Sequence, residues 1–354
     1  MSRRKRVYLI NTGGTIGMAR TSDGYAPAPG FLEAQMRRMP ELADPSMPEF
    51  TIHELAPLLD SSNMTPQNWV QIAQEIHRRY DQYDGFLVLH GTDTMAYTSS
   101  ALPFILRNTQ KPIIVTGSQI PLCEIRSDGR ENLITGLLLA AESEIPEVCL
   151  FFGNRVLRGC RAVKTSARGF DAFDSPNYPP LGLAGIDIII HRERLWRPEA
   201  GEIWLHDGRL DLASVGALRL FPGISTRVLE NMLMPPIQGL VLENYGVGNG
   251  PDQNPEFLAV LKRATDRGVV VVNCTQCLRG AVSMGDYATG AALAKAGVIS
   301  GHDMTTEAAL AKLYTLLSSD LPPAEVKRRM ARSLCGELTE SEKPPTCVPL
   351  GALE

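Results

Sequence analysis

The sequence predicts an α/β protein in which short buried strands alternate with helices around a mostly parallel sheet. Two observations predict this class. Apolar runs rich in β-forming residues alternate along the chain with stretches of helical periodicity, and several runs are apolar throughout, as strands are when helices cover both faces of a sheet. The 354 residues, 44% apolar and 21% charged, describe a globular chain that is too long for one ordinary domain. We therefore predict a larger N-terminal domain, with helices flanking its sheet, and a smaller C-terminal domain.

Each predicted element follows from its local pattern. Strands are expected at residues 7–11, 86–90, 113–116, 148–152, 186–190, 240–243 and 269–273. Helices are expected at residues 65–81, 95–107, 129–143, 255–267, 287–296, 305–317 and 323–333. Thr65 is expected to cap the first helix, because Pro66 follows it at the position where proline begins helices.

The domain bounds are predicted from a change in composition. Residues 191–211 contain Arg, Trp, Pro and Gly without a clear period, so we expect a linker there. It separates an N-terminal α/β domain at residues 1–190, which carries the candidate catalytic threonines discussed below, from a C-terminal domain at residues 212–338. The polar residues 339–354 are expected to form a frayed tail.

Charge and hydropathy exclude several classes of protein. Lys and Arg number 35 against 39 Asp and Glu, so the basic excess typical of nucleic-acid binding is missing. No apolar run reaches the roughly 18 residues of a membrane span. The basic residues 2–6 are followed by only four apolar residues, which is too short for a secretory signal. We predict a cytoplasmic protein that binds neither nucleic acid nor membrane.

The cysteines and histidines predict no metal site. Seven cysteines are widely spread, an odd number that is atypical of a disulfide framework. Cys274 and Cys277 have redox-motif spacing, but a second pair that could complete a zinc site is missing, and we interpret them as small residues at a strand end. The six histidines never fall at metal-binding spacing beside a Glu. A nucleotide site is not expected either, because the glycines at residues 13–17 lack the spacing of a dinucleotide fingerprint.

Glycine and hydroxyl residues follow three of the predicted N-terminal strands. The clusters occupy residues 11–15, 90–94 and 116–119. Because parallel strands end at a common edge, and open α/β sheets bind ligands outside that edge, we expect the three clusters to meet. Each also has a simpler interpretation: Thr92 or Asp93 could only cap the next helix, and residues 12–15 could form only a tight turn.

Two further segments are candidate walls of the same site. Residues 17–30 are rich in Gly, Ala, Ser and Pro around a single aromatic, Tyr25, which is typical of a lid that closes over a ligand and equally of an idle surface loop. Residues 59–64 precede a predicted helix and are either its capping turn or another set of polar contacts.

A hydroxyl nucleophile needs a base beside it. His90 ends a strand next to the second cluster, where a structural role is the simpler interpretation. Lys164 lies in a mostly uncharged stretch and could act as the base if its surroundings favour the neutral amine, although a solvated surface lysine is the alternative. Asp93 beside such a lysine would complete a Thr–Lys–Asp relay.

Two long signatures carry a family resemblance. NTGGTIG at residues 11–17 and LHGTDTMAYT at residues 89–98 resemble the paired signatures of the bacterial-type L-asparaginases, and more narrowly their cytoplasmic type I branch. The resemblance extends from Val7 to about Leu338 and includes further stretches at residues 64–66, 115–121, 126–129, 169–173, 245–249 and 287–290.

The resemblance implies an activity and a set of site residues. The implied activity is hydrolysis of L-asparagine to L-aspartate and ammonia through an acyl-enzyme, without metal or cofactor. By position in the motifs, the implied catalytic residues are the nucleophile Thr15, the flap residue Tyr25, and the group Thr92, Asp93 and Lys164. The implied substrate turn comprises Asp60, Ser61 and Ser62.

The resemblance also implies a fold and an assembly. The fold is a larger α/β domain followed by a smaller flavodoxin-like domain, and the assembly is a homodimer or a dimer of dimers. The reaction itself requires a nucleophile, a proton acceptor and oxyanion donors. Backbone N–H groups near Gly91 and Thr92 are the candidate oxyanion donors, and both residues, with Asp93, are also expected to contact substrate.

The chain departs from the type I pattern at two positions. The resemblance implies that some members of that branch are activated by asparagine at a second site, which uses a threonine and an arginine. The corresponding positions here hold Val163 and Glu243. A carboxylate cannot replace a guanidinium in binding another carboxylate, so we predict that this effector site is lost or altered.

Three alternatives stay open at this stage. The first is a glutaminase, and the second is the ammonia-releasing subunit of a transfer-RNA-dependent amidotransferase. That subunit carries a domain before the first signature, for which the residues before Asn11 leave no room. The third is a non-catalytic small-ligand binding module, which the intact set of candidate catalytic residues disfavours.

Overall fold

The computed structural model describes residues 3–22, 24–142, 144–199, 201–206, 209–285 and 288–340. These residues form eighteen strands, numbered in chain order: β1 Arg6–Gly13, β2 Met18–Thr21, β3 Gly24–Pro27, β4 Glu49–Leu59, β5 Gly85–Leu89, β6 Leu106–Arg107, β7 Ile113–Thr116, β8 Val148–Phe152, β9 Arg155–Arg158, β10 Val163–Lys164, β11 Phe173–Asp174, β12 Gly182–Ala184, β13 Ile188–Ile190, β14 Trp204–Leu205, β15 Val215–Arg219, β16 Gly239–Asn244, β17 Val270–Thr275 and β18 Ile299–Ser300. They also form nine helices: α1 Phe31–Met36, α2 Pro66–Arg79, α3 Met95–Ile105, α4 Gly129–Ala141, α5 Thr226–Met232, α6 Pro255–Asp266, α7 Ala288–Lys295, α8 Thr306–Leu317 and α9 Pro323–Met330.

An eight-stranded sheet dominates the N-terminal part of the chain. Its spatial order is β4-β1-β5-β7-β8-β9-β12-β13. The strands from β4 to β8 are parallel, and the last three join antiparallel at one edge. The carboxyl ends of β4, β1, β5 and β7 therefore lie side by side, and the loops that follow them share one rim.

Both faces of the large sheet are covered, which explains its continuous apolar strands. Alternate residues of each strand point to opposite faces. On β5, Phe86 and Val88 pack with α2 and α3, whereas Leu87 and Leu89 pack with α1 and α4. All four side chains are fully buried.

The C-terminal part contains a separate parallel sheet of order β15-β16-β17-β18. Helices cover it on both sides: Leu240 and Leu242 pack with α5, α6 and α7, and Val241 packs with α8 and α9. The predicted fold class, a larger mostly parallel domain and a smaller parallel one, is confirmed. The exact domain bounds stay a prediction, and of the predicted tail only Thr339 and Glu340 lie within the described residues.

The structure corrects several predicted elements. The prediction missed the strands β4 and β15, the helices α1 and α5, and the short strands β2, β3, β6, β9, β10, β11, β12, β14 and β18. The helix expected to reach residue 107 ends at Ile105, before β6, and the segment expected to be a lid or a surface loop contains the β2–β3 hairpin. The strand expected at residues 186–190 is shorter, because only Ile188–Ile190 pairs at the exposed sheet edge. Two predicted helices include Ser143 and Tyr287, which lie outside the described residues.

No helix within the described residues is long and apolar enough to cross a membrane.

A buried ion pair attaches the segment after α9 to the C-terminal domain. The Lys312 and Glu337 side chains are both 0% exposed, and Nζ lies 2.5 Å from Oε1. Replacing Lys312 by Met leaves a buried carboxylate without its countercharge, so we expect the free energy of unfolding to fall by about 3–5 kcal/mol. Urea denaturation measures this. Lys262→Met, which removes an exposed pair with Asp266, is the control and should cost less than about 1 kcal/mol. Equal losses in both variants would contradict the stabilising role.

Candidate active site

Four loops meet at the rim of the large sheet through direct backbone contact. The Gly14 N–H donates to the carbonyl oxygen of Leu59, at the end of β4, over 2.9 Å. A Cβ atom added to Gly14 would lie 2.3 Å from the nitrogen of Gly91, and one added to Gly91 would lie 2.5 Å from Ser61 Oγ. A Cβ atom on Gly117 would lie 2.1 Å from the His90 carbonyl oxygen. The three predicted clusters and the turn at residues 60–62 therefore share one rim.

Gly14 is required at its position for two reasons. Its φ is +81°, a conformation that L side chains rarely adopt, and it leaves no space for a Cβ atom against Gly91. The close approach places Thr15, the first residue of the short 3₁₀ turn Thr15–Gly17, on the rim beside the second loop. Thr15 is half-buried, and within the described part of the chain its hydroxyl has no hydrogen-bond partner.

Lys164 links the second loop to the strand β10. Its Nζ lies 2.9 Å from Thr92 Oγ1 and 2.7 Å from Asp93 Oδ1. The lysine side chain is only 20% exposed, whereas that of Asp93 is 66% exposed, and Thr92 is buried. The predicted Thr–Lys–Asp group is therefore assembled, with the ammonium between a hydroxyl and a carboxylate.

Gln119 is a member of this group that the sequence did not single out. Thr92 Oγ1 donates to Gln119 Oε1 over 3.0 Å, and Gln119 Nε2 donates to the Gly169 carbonyl. The Thr92 hydroxyl thus accepts from Lys164 and directs its own proton to Gln119. Asp128 fixes the loop by accepting from the backbone N–H groups of Gln119 and Ile120. The sequence feature that could have pointed to Gln119 was its place in the third polar cluster, at residues 116–119.

The turn after β4 presents two hydroxyls and a carboxylate. Asp60 Oδ1 accepts from the Ser62 N–H over 2.9 Å and from Ser62 Oγ over 2.8 Å, and so caps the 3₁₀ turn Ser61–Asn63. Asp60 and Ser62 are exposed, while Ser61 is buried against Gly91. Thr94 Oγ1 donates to the Ser61 carbonyl and ties this turn to the start of α3. The segment is not the capping turn of α2, because Asp60 caps its own 3₁₀ turn and Thr65 is the N-cap of α2; its polar groups lie on the rim.

Tyr25 lies on β3 of the hairpin that follows Thr15. Its hydroxyl donates to Glu124 Oε1 over 2.5 Å, and the side chain is 43% exposed. This hydrogen bond raises the pKa of Tyr25 above its usual value, so the phenol stays protonated at neutral pH. In this arrangement its single proton is directed to Glu124.

His90 and Cys274 are buried in the core, whereas Cys277 is exposed. Complete burial lowers the pKa of His90 to about 4, and its ring contacts the Gly91 carbonyl and Thr98 Oγ1. Burial raises the pKa of Cys274 to about 12, so its thiolate is not accessible at neutral pH. In the described ranges no group of His, Cys, Asp or Glu side chains has an arrangement that could hold a metal ion.

Two backbone N–H groups of the second loop are candidate donors to a ligand. Gly91 and Thr92 follow β5, and within the described residues neither N–H has an assigned acceptor. Both residues are buried. They can therefore donate to a ligand oxygen without losing an existing bond.

Val163 and Glu243 lie together beside Lys164, as lining of a cavity of about 210 Å³. Val163 is 7% exposed. The Glu243 carboxylate accepts from Thr306 Oγ1 over 2.6 Å and lies 3.6 Å from the Arg219 guanidinium. This cavity therefore presents a carboxylate already engaged by the protein, where the type I pattern has an arginine.

Comparison with known proteins identifies the family. The protein-family model described as "Asparaginase, N-terminal" matches residues 6–196. The family model described as "Glutaminase/Asparaginase C-terminal domain" matches residues 214–330. The chain belongs to the asparaginase family. The membership inferred from the two signatures is thereby confirmed.

Relatives within the asparaginase family match nearly the whole chain. L-asparaginase 1 of Escherichia coli K12 is 54% identical over 343 residues, which is 96% of this chain and 99% of that protein. The 60 kDa lysophospholipase of Mus musculus is 46% identical over 360 residues, 96% of this chain and 63% of that longer protein. The crystal structure of L-asparaginase I from Vibrio cholerae has 53% identity and a TM-score of 0.88, and the match covers 96% of this chain and 100% of that one.

Proposed function

We propose that this chain hydrolyses the side-chain amide of L-asparagine to L-aspartate and ammonia. One observation carries the proposal: the Lys164 amine bridges Thr92 and Asp93 on the rim that also carries Thr15. Membership of the asparaginase family and 54% identity to an L-asparaginase support the same activity.

In the first half of the reaction, Thr15 Oγ attacks the side-chain carbonyl carbon of asparagine. The C–N bond breaks, the threonine proton passes to the departing nitrogen, and ammonia leaves behind an aspartyl ester on Thr15. The N–H groups of Gly91 and Thr92 stabilise the oxyanion that forms on the carbonyl oxygen.

In the second half, water hydrolyses the ester. Thr92 turns its proton from Gln119 towards Lys164 Nζ, and Lys164, next to Asp93, serves as the proton acceptor that activates the attacking oxygen. Aspartate leaves, and Thr15 recovers its proton. The exposed Asp60 carboxylate binds the α-ammonium group of the substrate, and Ser61 and Ser62 bind its α-carboxylate, so that only an amino acid is positioned for attack.

The direct test is ammonia release from asparagine and from glutamine, measured side by side. We expect the enzyme to release ammonia from asparagine both at saturating and at low asparagine concentrations. One additional methylene changes discrimination by about 10–200-fold, so a preference for glutamine would favour the glutaminase alternative. Release that depends on added transfer RNA would favour the amidotransferase subunit, and binding without release would favour a non-catalytic module.

The variant Tyr25→Phe should distinguish a catalytic role of the Tyr25 hydroxyl from a role in stability. We propose that Tyr25 leaves Glu124 and assists Thr15 when substrate binds, so we expect kcat to fall about 10²-fold. The side chain is 43% exposed, and we expect the free energy of unfolding to change by less than about 0.5 kcal/mol. Steady-state kinetics and thermal melts measure both. Glu124→Gln, which removes only the resting partner, should retain most activity, and an unchanged kcat in Tyr25→Phe would contradict the role.

Asparagine saturation curves should be hyperbolic. Glu243 places a carboxylate where an activating asparagine would need a cation for its own carboxylate, and Val163 offers no hydroxyl beside it. Initial rates over a wide asparagine range measure the curve, with and without added aspartate. A Hill coefficient clearly above one would show that an effector site has survived.

We also propose a cytoplasmic homo-oligomer, either a dimer or a dimer of dimers. The resemblance to the cytoplasmic type I branch supports both this assembly and this location. Analytical ultracentrifugation of the purified chain tests the assembly, and a purely monomeric active enzyme would contradict it.

A further inference from the structure

A second cavity lies at the opposite end of α3 from the candidate active site. Its volume is about 500 Å³, enough for a small organic molecule. α3 begins just after Asp93 and is eleven residues long, so its far end is about 16 Å away along the helix axis. There the chain continues into Leu106 and Arg107 of β6, which pairs with β14.

Arg107 lines this cavity and forms no ion pair with any residue that the structure describes. In the part of the chain that the structure describes, no carboxylate lies within 4.0 Å of its guanidinium, and its Nε is buried without a hydrogen-bond partner. The guanidinium carbon lies 5.2 Å from the ring centroid of Trp204. Desolvation lowers the pKa of Arg107 and the nearby Arg329 lowers it further, while Cys335 and Glu337 act in the opposite direction.

The neighbouring arginines do have partners. Arg158, which also lines the cavity, donates to both carboxylate oxygens of Glu147, over 2.7 and 3.4 Å. Arg329 donates to Glu325. Glu147 is therefore engaged, and it also accepts from the Trp196 N–H. The cavity keeps one guanidinium whose donors are available to a ligand.

Part of the remaining lining is flat and apolar, next to the polar residues Asn108, Thr109, Glu199 and Ser333. Trp196 and Trp204 form part of the wall, together with Pro103, Pro146 and Pro198. Indole faces and proline rings stack against planar groups, and the Arg107 guanidinium presents a planar fork that matches carboxylate and phosphate oxygens.

We propose that this cavity binds a small organic anion, in which a carboxylate or phosphate contacts Arg107 and a flat ring lies against Trp204. A bound anion supplies the countercharge that the described part of the chain does not offer to Arg107. The site is separate from the asparagine site, because Arg107 contacts none of the residues assigned to catalysis.

Probes of matched shape test the proposal on the purified wild-type protein. Adenosine 5′-monophosphate and phenylacetate supply the two anion types, with adenosine and phenylacetamide as their uncharged counterparts and inorganic phosphate as an anion without a ring. Isothermal titration calorimetry measures affinity, and quenching of tryptophan fluorescence reports on Trp196 and Trp204, two of the three tryptophans. We expect at least one charged ring compound to bind at least tenfold more tightly than its neutral counterpart and than phosphate. The preferred anion identifies the ligand class.

Variants assign the binding to Arg107. Arg107→Met, which keeps the length of the side chain without its charge, should weaken binding of the charged probe at least tenfold while asparagine hydrolysis is unchanged. Arg227→Met, at an exposed position on α5, should bind as the wild type does. Trp204→Leu should weaken binding and reduce the fluorescence response. The proposal is overturned if charged and neutral probes bind equally to the wild type, if no probe binds, or if folded Arg107→Met retains full affinity.

Discussion

Lys164→Met is expected to lower kcat/KM for asparagine at least about 10³-fold. Methionine keeps the packing of a side chain that is only 20% exposed but removes the amine that contacts Thr92 and Asp93. Without that amine, Gln119 is the only remaining side chain among the described residues that forms a hydrogen bond with Thr92 Oγ1, and an amide is not a base, so the attacking hydroxyl or water keeps its proton. Coupled detection of ammonia under substrate saturation and at low substrate measures both kinetic constants.

The controls for this variant separate chemistry from folding. Lys262→Met removes a lysine from the exposed surface of α6 and should leave the kinetics unchanged. The double variant Thr92→Val/Lys164→Met should be about as slow as Lys164→Met alone, because residues that act as one unit have non-additive effects. Losses that multiply in the double variant would show that the two residues act independently.

The sequence predicted the architecture well because the buried strands are marked by composition. β1, β5, β7 and β8 are fully or almost fully buried, so each is a continuous apolar run. Parallel pairing then requires the following loops to share a rim, and the glycine contacts between Gly14 and Gly91 are the physical form of that requirement.

Sequence patterns mark poorly those elements that are partly exposed and those contacts that join distant parts of the chain. β4 is an eleven-residue edge strand of mixed exposure, so neither an apolar run nor a clean alternation marks it. Lys164 reaches Thr92 across 72 positions, and its placement depends on the β10–β11 pair and on the Arg161–Asp303 ion pair just before it. Sequence spacing contains no record of either contact. Gln119 and Glu124 were missed for the same reason.

Thr15→Ala is expected to reduce kcat by about 10³–10⁴-fold and to abolish covalent capture of substrate. The prediction follows from the position of Thr15 on the rim, half-buried and with a hydroxyl that no neighbouring group in the described part of the chain engages. Rapid acid quench followed by peptide mass spectrometry measures the aspartyl ester. Lys164→Met should accumulate that ester if water attack has become the slower step, whereas Thr15→Ala should never show it.

Thr12→Val is the matched control, because Thr12 lies on the same loop but uses its hydroxyl in the fold. Thr12 Oγ1 donates to the Leu89 carbonyl over 3.0 Å and is buried. Its loss removes a buried hydrogen bond, which should cost about 0.5–1.5 kcal/mol of stability without removing the nucleophile. Thr12→Val should therefore melt earlier yet form the ester, and Thr15→Ala should keep its melting temperature yet form none. An ester on a Thr92 peptide in Thr15→Ala would transfer the nucleophilic role to the second loop.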